Sequence, residues 1–158
     1  MKYRPANGAD LALLRQLIAQ AAFRPGHIPP LDEAAQAPHV LPWLEGWMRP
    51  GDLGIVAEEE VAIGAAWCRR FTGSEVGLGG FVDGATPVLS IAVADGHRGR
   101  GIGRALLEQL VAAARADGIS RLSLSVGRTN PALRLYERLG WERLEPSSAG
   151  PLRLARRL

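Results

Sequence analysis

Residues 89–141 read LSIAVADGHRGRGIGRALLEQLVAAARADGISRLSLSVGRTNPALRLYERLGW, and this stretch decides the fold. It opens inside an apolar run, Pro87 to Val93, of the kind that forms a strand buried on both faces. Ala94-Asp95-Gly96-His97 then leads into the glycine cluster Arg98-Gly99-Arg100-Gly101-Ile102-Gly103. From about Ile102 to Ala116 the apolar residues recur at helical spacing, and Asp117-Gly118 supplies the stop. A strand follows at Leu122 to Val126, and a short helix is opened by Asn130-Pro131 and closed by Gly140. Two strands joined through a long helix must run parallel, because a crossover returns the chain in the same direction.

The glycine cluster carries the chemistry. A strand that delivers this loop to the first turn of a helix gathers unpaired backbone N–H groups around one point, where the positive end of the helix dipole adds to them. Such a point suits a phosphate. Gly101 and Gly103 permit close backbone approach or left-handed dihedrals, and Arg98, Arg100 and Arg104 offer charge-assisted donors to phosphate oxygens. By itself a glycine triplet before a helix is also an ordinary strand-to-helix turn. The spacing is neither a Walker loop, which needs G-K-[ST], nor the dinucleotide fingerprint G-x-G-x-x-G with its ribose-binding acid.

Outward from this segment the sequence supplies the rest of a mixed α/β layer. Met1 to Pro5 reads as an edge strand, and Asn7 or Asp10 caps a helix through Leu11, Leu14, Leu17, Ile18 and Ala21. RPGHIPP at 24–30 is irregular, and a second helical stretch over Leu31 to Met48 is interrupted near Pro38 and Pro42. Trp43 and Trp47, four apart, are expected on one helical face in packing contacts. Strands at Leu53 to Ala57 and Val61 to Arg70 form a hairpin through Glu58-Glu59-Glu60, residues 72–86 are a glycine-rich loop, and strands at Trp141 to Leu144 and Leu152 to Ala155 close the chain.

Composition narrows the function. With 158 residues, 47% of them hydrophobic, the chain suits one domain spanning 1–158. Lys and Arg number 19 against 16 Asp and Glu, and the arginines are scattered rather than gathered in a stripe, so no nucleic-acid partner is expected. The single Cys68 excludes an internal disulfide, and one cysteine with three dispersed histidines forms no metal site. No apolar run approaches a membrane span and no signal peptide is visible, so a soluble, cytoplasmic protein without a membrane partner is expected.

The order of strand, Arg98-x-x-Gly101-x-Gly103 loop, long helix, strand and Asn130-x-x-Leu133-x-x-Tyr136-x-x-x-Gly140-Trp141 resembles the core of the GNAT superfamily of N-acetyltransferases. The resemblance covers about a third of the chain. It implies an α/β fold with a single-domain, mixed, mostly antiparallel sheet and flanking helices. It also implies acetyl-CoA as co-substrate, without a metal: Ile91, Ala92 and Val93 pair with the pantetheine arm, and Arg98, Gly99, Arg100, Gly101, Ile102, Gly103 and Arg104 hold the pyrophosphate. Asn130 then lies beside the pantetheine and Tyr136 is the general acid for the departing thiolate. Tyr136 otherwise reads as a half-buried residue packing on the sheet beside Leu133 and Leu139.

The resemblance implies an amine as acceptor, of a small molecule or of a protein or peptide, and both monomer and homodimer stay open. For the base that frees the amine, Glu75 and Asp83 come first and Glu33 and His27 after them, since the strand at 87–93 has Ser90 as its only polar side chain. The resemblance places the acceptor site along the first two helices, their linking loop and the last strands, here residues 23–50 and 142–152, with the loop at 24–30 as one wall; that loop otherwise reads as a surface connector. A non-catalytic CoA-binding module is the rival reading.

Overall fold

The computed structural model describes residues 1–23, 26–72, 79–144 and 150–158. Seven strands form one sheet: β1 (Lys2–Pro5), β2 (Leu53–Glu58), β3 (Ala62–Arg69), β4 (Val88–Val93), β5 (Arg121–Val126), β6 (Glu142–Arg143) and β7 (Leu152–Arg157). Their order is β1-β2-β3-β4-β5-β7-β6. Every neighbouring pair is antiparallel except β4 and β5, which are parallel. The parallel crossover expected between them is α4 (Ile102–Ala116). The other helices are α1 (Leu11–Ala22), α2 (Leu31–Gln36), α3 (Leu41–Leu44) and α5 (Ala132–Arg138).

Helices on both faces divide the core in two. α4 turns Ile102, Leu106, Leu107, Leu110, Val111 and Ala114 onto one face of the sheet, where they meet Leu89, Leu122, Leu124 and Leu154. Each buried leucine there stabilises the fold by roughly 1.5–3 kcal/mol relative to exposure. On the other face Leu14, Leu17 and Ile18 of α1 pack with Val40, Trp43 and Leu44 on Trp67, Phe71 and Val88.

The helical stretch expected over 31–48 is two short pieces. Ala37 is extended (ψ 138°) before Pro38, as a residue preceding proline prefers, and this ends α2. Pro42 sits in the first turn of α3, where its missing N–H costs nothing. α3 ends at Leu44, so Trp43 and Trp47 do not share a helical face: Trp43 is core, and Trp47 lies in the following turns and donates its indole N–H to the Asn7 carbonyl at 2.9 Å. The strand expected at Trp141 to Leu144 shortens to Glu142–Arg143, because Trp141 is buried in the core against α5.

Two polar nodes hold the ends of the sheet. Arg69, fully buried, meets Asp52 at 2.7 Å and also donates to the carbonyls of Pro42 and Glu45, which fixes the α3 segment on β3. Asp52→Ala would leave that guanidinium charge buried and unpaired. We expect it to lower stability by about 3–5 kcal/mol in urea unfolding; a loss below about 1 kcal/mol would mean that the carbonyls suffice.

Arg4 donates to Asp10 at 2.7 and 2.8 Å, and this hydrogen bonding holds the Asp10 carboxyl below its ordinary range. A depressed carboxyl contributes stability that is complete above its unfolded value, about 3.9, and is lost as pH falls through the folded value. The wild type should therefore lose stability more steeply than Asp10→Asn below about pH 4. Parallel thermal-unfolding curves for the two proteins would contradict this.

Candidate functional site

β4 and β5 touch at one register pair, Val88 with Ser123, where the Ser123 amide donates to the Pro87 carbonyl at 3.1 Å. Beyond that point the two strands separate. β4 stays paired with β3 through Val93, and the Ala94 amide donates to Ile63 of β3. Because hydrogen-bonding direction alternates along a strand, the amides and carbonyls of Leu89, Ile91 and Val93 turn towards the gap. The apolar strand is therefore not buried throughout: Val88 and Leu89 are buried, while Ser90 to Val93 are half-buried. The gap is a cleft of about 1070 Å³.

The glycine loop forms one wall of this cleft. Gly101 is the N-cap of α4 in the left-handed region (φ 78°), and Gly99 shares that conformation (φ 75°). The first bond of the helix runs from the Ala105 amide to the Gly101 carbonyl at 3.1 Å, and no side chain caps the end. The amides of Ile102, Gly103 and Arg104 consequently have no partner among the described residues. A Cβ added at Gly99 or Gly101 would meet nothing within 4 Å. The loop is thus an open concavity of donors at the positive end of a 15-residue helix, which fits a pyrophosphate.

The three arginines behave differently. Arg98 lines the cleft and reaches back to the Val93 carbonyl at 3.3 Å and to Asp95 at 3.4 Å, and Arg104 also lines it, with Nε on Glu108 at 3.0 Å. Arg100 does not line the cleft. Its guanidinium is bound to Glu59 in the β2–β3 turn and lies 3.1 Å from His97 Nδ1, so only its backbone remains with the loop.

Asn130 and Tyr136 also line the cleft. The Asn130 side-chain oxygen accepts from the Ala132 amide at 2.9 Å and so helps to start α5. Tyr136 is 7% exposed, with its ring edge-on to Trp141 at 6.2 Å and its carbonyl accepting the Trp141 amide at 3.0 Å. Burial pushes its phenol up to about 12. Tyr136 is core on one side and cleft wall on the other.

Those expected bases that fall among the described residues do not line the cleft. Asp83 holds a turn, its oxygens taken by the Ala85 and Thr86 amides and by Arg121, and bonding to Thr86 keeps its carboxyl low. Glu33 and His27 are exposed and do not line the cleft, nor does Ile28, and Glu75 lies outside the described residues, as do Arg24 and Pro25 of the expected acceptor loop. The wall built by Ile18, Ala21, Ala22, His39 and Trp43 lies on the early helical region expected to shape the acceptor site, but the sequence singled out none of these residues for it, nor Ser125 on β5. The helical period marks Ile18 and Trp43 as inward-facing, but nothing in the sequence distinguishes a core from a cleft.

The chain belongs to the acetyltransferase (GNAT) family, whose profile matches residues 12–141, a class of acyl-CoA-dependent N-acetyltransferases. Among curated proteins it is 27% identical over 121 residues to the [ribosomal protein bS18]-alanine N-acetyltransferase of Haemophilus influenzae, covering 73% of this chain and 75% of that one. It is 46% identical over 52 residues to streptothricin acetyltransferase of Streptomyces lavendulae, spanning 32% of this chain and only 28% of that protein. The ribosomal-protein-alanine N-acetyltransferase of Brucella melitensis superposes over the whole of both chains with a TM-score of 0.72 at 27% identity. A phosphinothricin acetyltransferase of Sinorhizobium meliloti, solved in complex with acetyl-CoA, shares the fold with a TM-score of 0.67 at 22% identity over 99% of this chain and 88% of that one. Among the described residues no helix is long and apolar enough to cross a membrane, and no group of side chains could hold a metal ion.

The two motif glycines should part in stability tests. Gly101→Ala forces a side chain into a left-handed conformation and is expected to cost about 1–2 kcal/mol. Gly103→Ala lies in a helix with its Cβ 3.9 Å from Ile91, so it should gain up to about 1 kcal/mol. Equal effects on thermal unfolding would contradict this division.

Proposed function

We propose that this chain transfers an acetyl group directly from acetyl-CoA to a primary amine, with no covalent enzyme intermediate. The observation that carries the reading is the separation of β4 from β5, which brings an unpaired strand edge, a glycine loop at a helix start and a buried phenol onto one cleft. Acetyl-CoA supplies the acetyl group as an activated thioester and leaves as a thiol.

In this reading Ile91, Ala92 and Val93 hold the pantetheine arm in the manner of an added strand, through the groups β4 turns to the gap. The amides of residues 98–104 take the pyrophosphate, and Arg98 and Arg104 add charge at the cleft edge. The Asn130 oxygen already serves α5, so its NH₂ is the group that faces the pantetheine. Tyr136 stays protonated throughout the neutral range, since its phenol is pushed up to about 12, and it donates to the sulfur as negative charge develops there. Catalysis otherwise comes from positioning.

Relatives named for an alanine of a ribosomal protein, for streptothricin and for phosphinothricin suggest the acceptors to screen. Acetyl-CoA should bind and raise the melting temperature by mass action. Incubation with an alanine-leading hexapeptide, streptothricin or phosphinothricin should release free thiol with at least one of them. No calorimetric binding at millimolar acetyl-CoA would sink the proposal.

Tyr136→Phe keeps the ring against Trp141 and removes the proton. It should lower kcat by about ten- to a thousandfold with little change in acetyl-CoA affinity. An unchanged kcat would return Tyr136 to a packing role alone.

A further inference from the structure

The cleft is lined from both faces of the sheet. The glycine loop and Tyr136 belong to the α4–α5 side, whereas Ile18, Trp43 and His39 come from the α1–α3 side. The gap between β4 and β5 joins the two. No Asp or Glu lines it among the described residues; its ionisable side chains there are His39, His97, Arg98, Arg104, Tyr136 and Arg138. Of these only an imidazole takes up a proton near neutral pH. His97 adjoins the phosphate loop, with Nδ1 3.1 Å from an Arg100 nitrogen. His39 is the one on the opposite side.

His39 is exposed, and its ring has one aromatic neighbour. Its edge contact with Phe23, 4.9 Å between centroids, follows the end of α1, and the turn that carries it is fixed by Val40 and Leu41 amides on the Ala37 carbonyl. Neither ring nitrogen has a partner among the described residues. Gln20 stands on the same wall with its side-chain oxygen buried and without a hydrogen bond, an acceptor left for a donor that the protein itself does not provide. An imidazole and an amide oxygen, both without partners among the described residues and both on residues that line the cleft also lined by Tyr136, suit an ammonium group.

We propose that His39 is the base that deprotonates the acceptor amine, which enters along the α1–α3 wall; this rests on the acetyl-transfer reading above. An imidazole nitrogen takes one proton from the ammonium. The freed lone pair forms the N–C bond to the acetyl carbonyl, the C–S bond breaks, and its electron pair goes to sulfur, which receives the Tyr136 proton. The second proton of the amine nitrogen replaces the one Tyr136 gave up, and the imidazolium releases its proton to water. The products are an amide, a thiol and one proton.

The test compares wild type with His39→Gln, using whichever of the alanine-leading hexapeptide, streptothricin or phosphinothricin turns over. Acetyl-CoA affinity, measured by calorimetry, should be unchanged. Near neutral pH, where the amine is charged, kcat/KM for the acceptor should fall by about a hundredfold. One pH unit above the amine's own pKa it needs no base, and the deficit should close to within a few fold. Wild-type rates near neutral pH, or an equal deficit at both pH values, would overturn the proposal while leaving acetyl transfer intact. A wild type inactive on every amine would sink acetyl transfer and the role of His39 with it.

Discussion

The hydrogen bond from Ser123 to Pro87 is where the sheet either continues or opens, and the rest of the molecule is arranged around its being followed by a gap. Parallel strands are normally paired along their length and covered on both faces. Here β4 keeps its full register with β3 while β5 keeps its own with β7, so neither strand is lost when they part. What is left is an edge inside the sheet, with unpaired groups that would be costly if buried without partners. A ligand that satisfies them completes the fold as much as it occupies a site.

The same gap decides where the chemistry lies. α4 begins at the open end of β4, so its unsatisfied amides and its dipole face the same space as the free strand edge. α5 follows β5 and brings Tyr136 to the other wall, where Trp141 keeps its ring in one orientation. Burial keeps that phenol protonated at neutral pH, so it offers a hydrogen bond to the cleft rather than a charge. On the opposite face, Arg69 and Asp52 tie the α3 segment to β3 and fix Trp43 as a cleft wall.

Much of this was legible in the residues. The apolar spacing from Ile102 and the Asp117-Gly118 stop mark α4 at its observed bounds, and Asn130-Pro131 marks the start of α5, because local backbone chemistry sets helix ends. Other features depend on tertiary context. An apolar run such as 87–93 looks the same whether its second neighbour is present or has diverged, so the exposure of Ser90 to Val93 was invisible. Arg100 read as a phosphate ligand because of its place in the glycine loop; its capture by Glu59 depends on a hairpin 41 residues away. His39 carried no motif, since its position on the cleft comes from two proline-broken helices whose packing no periodicity records.

The account stands on the claim that the edge of β4 and the start of α4 bind one extended ligand. Titration of isotopically labelled protein with acetyl-CoA, followed by amide NMR shifts, tests this directly. The largest shifts should fall on Leu89, Ile91 and Val93 and on residues 98–104, with smaller ones at Asn130, and the amides of β1 and β2 should stay still. Shifts confined to the loop, or centred away from β4, would contradict it.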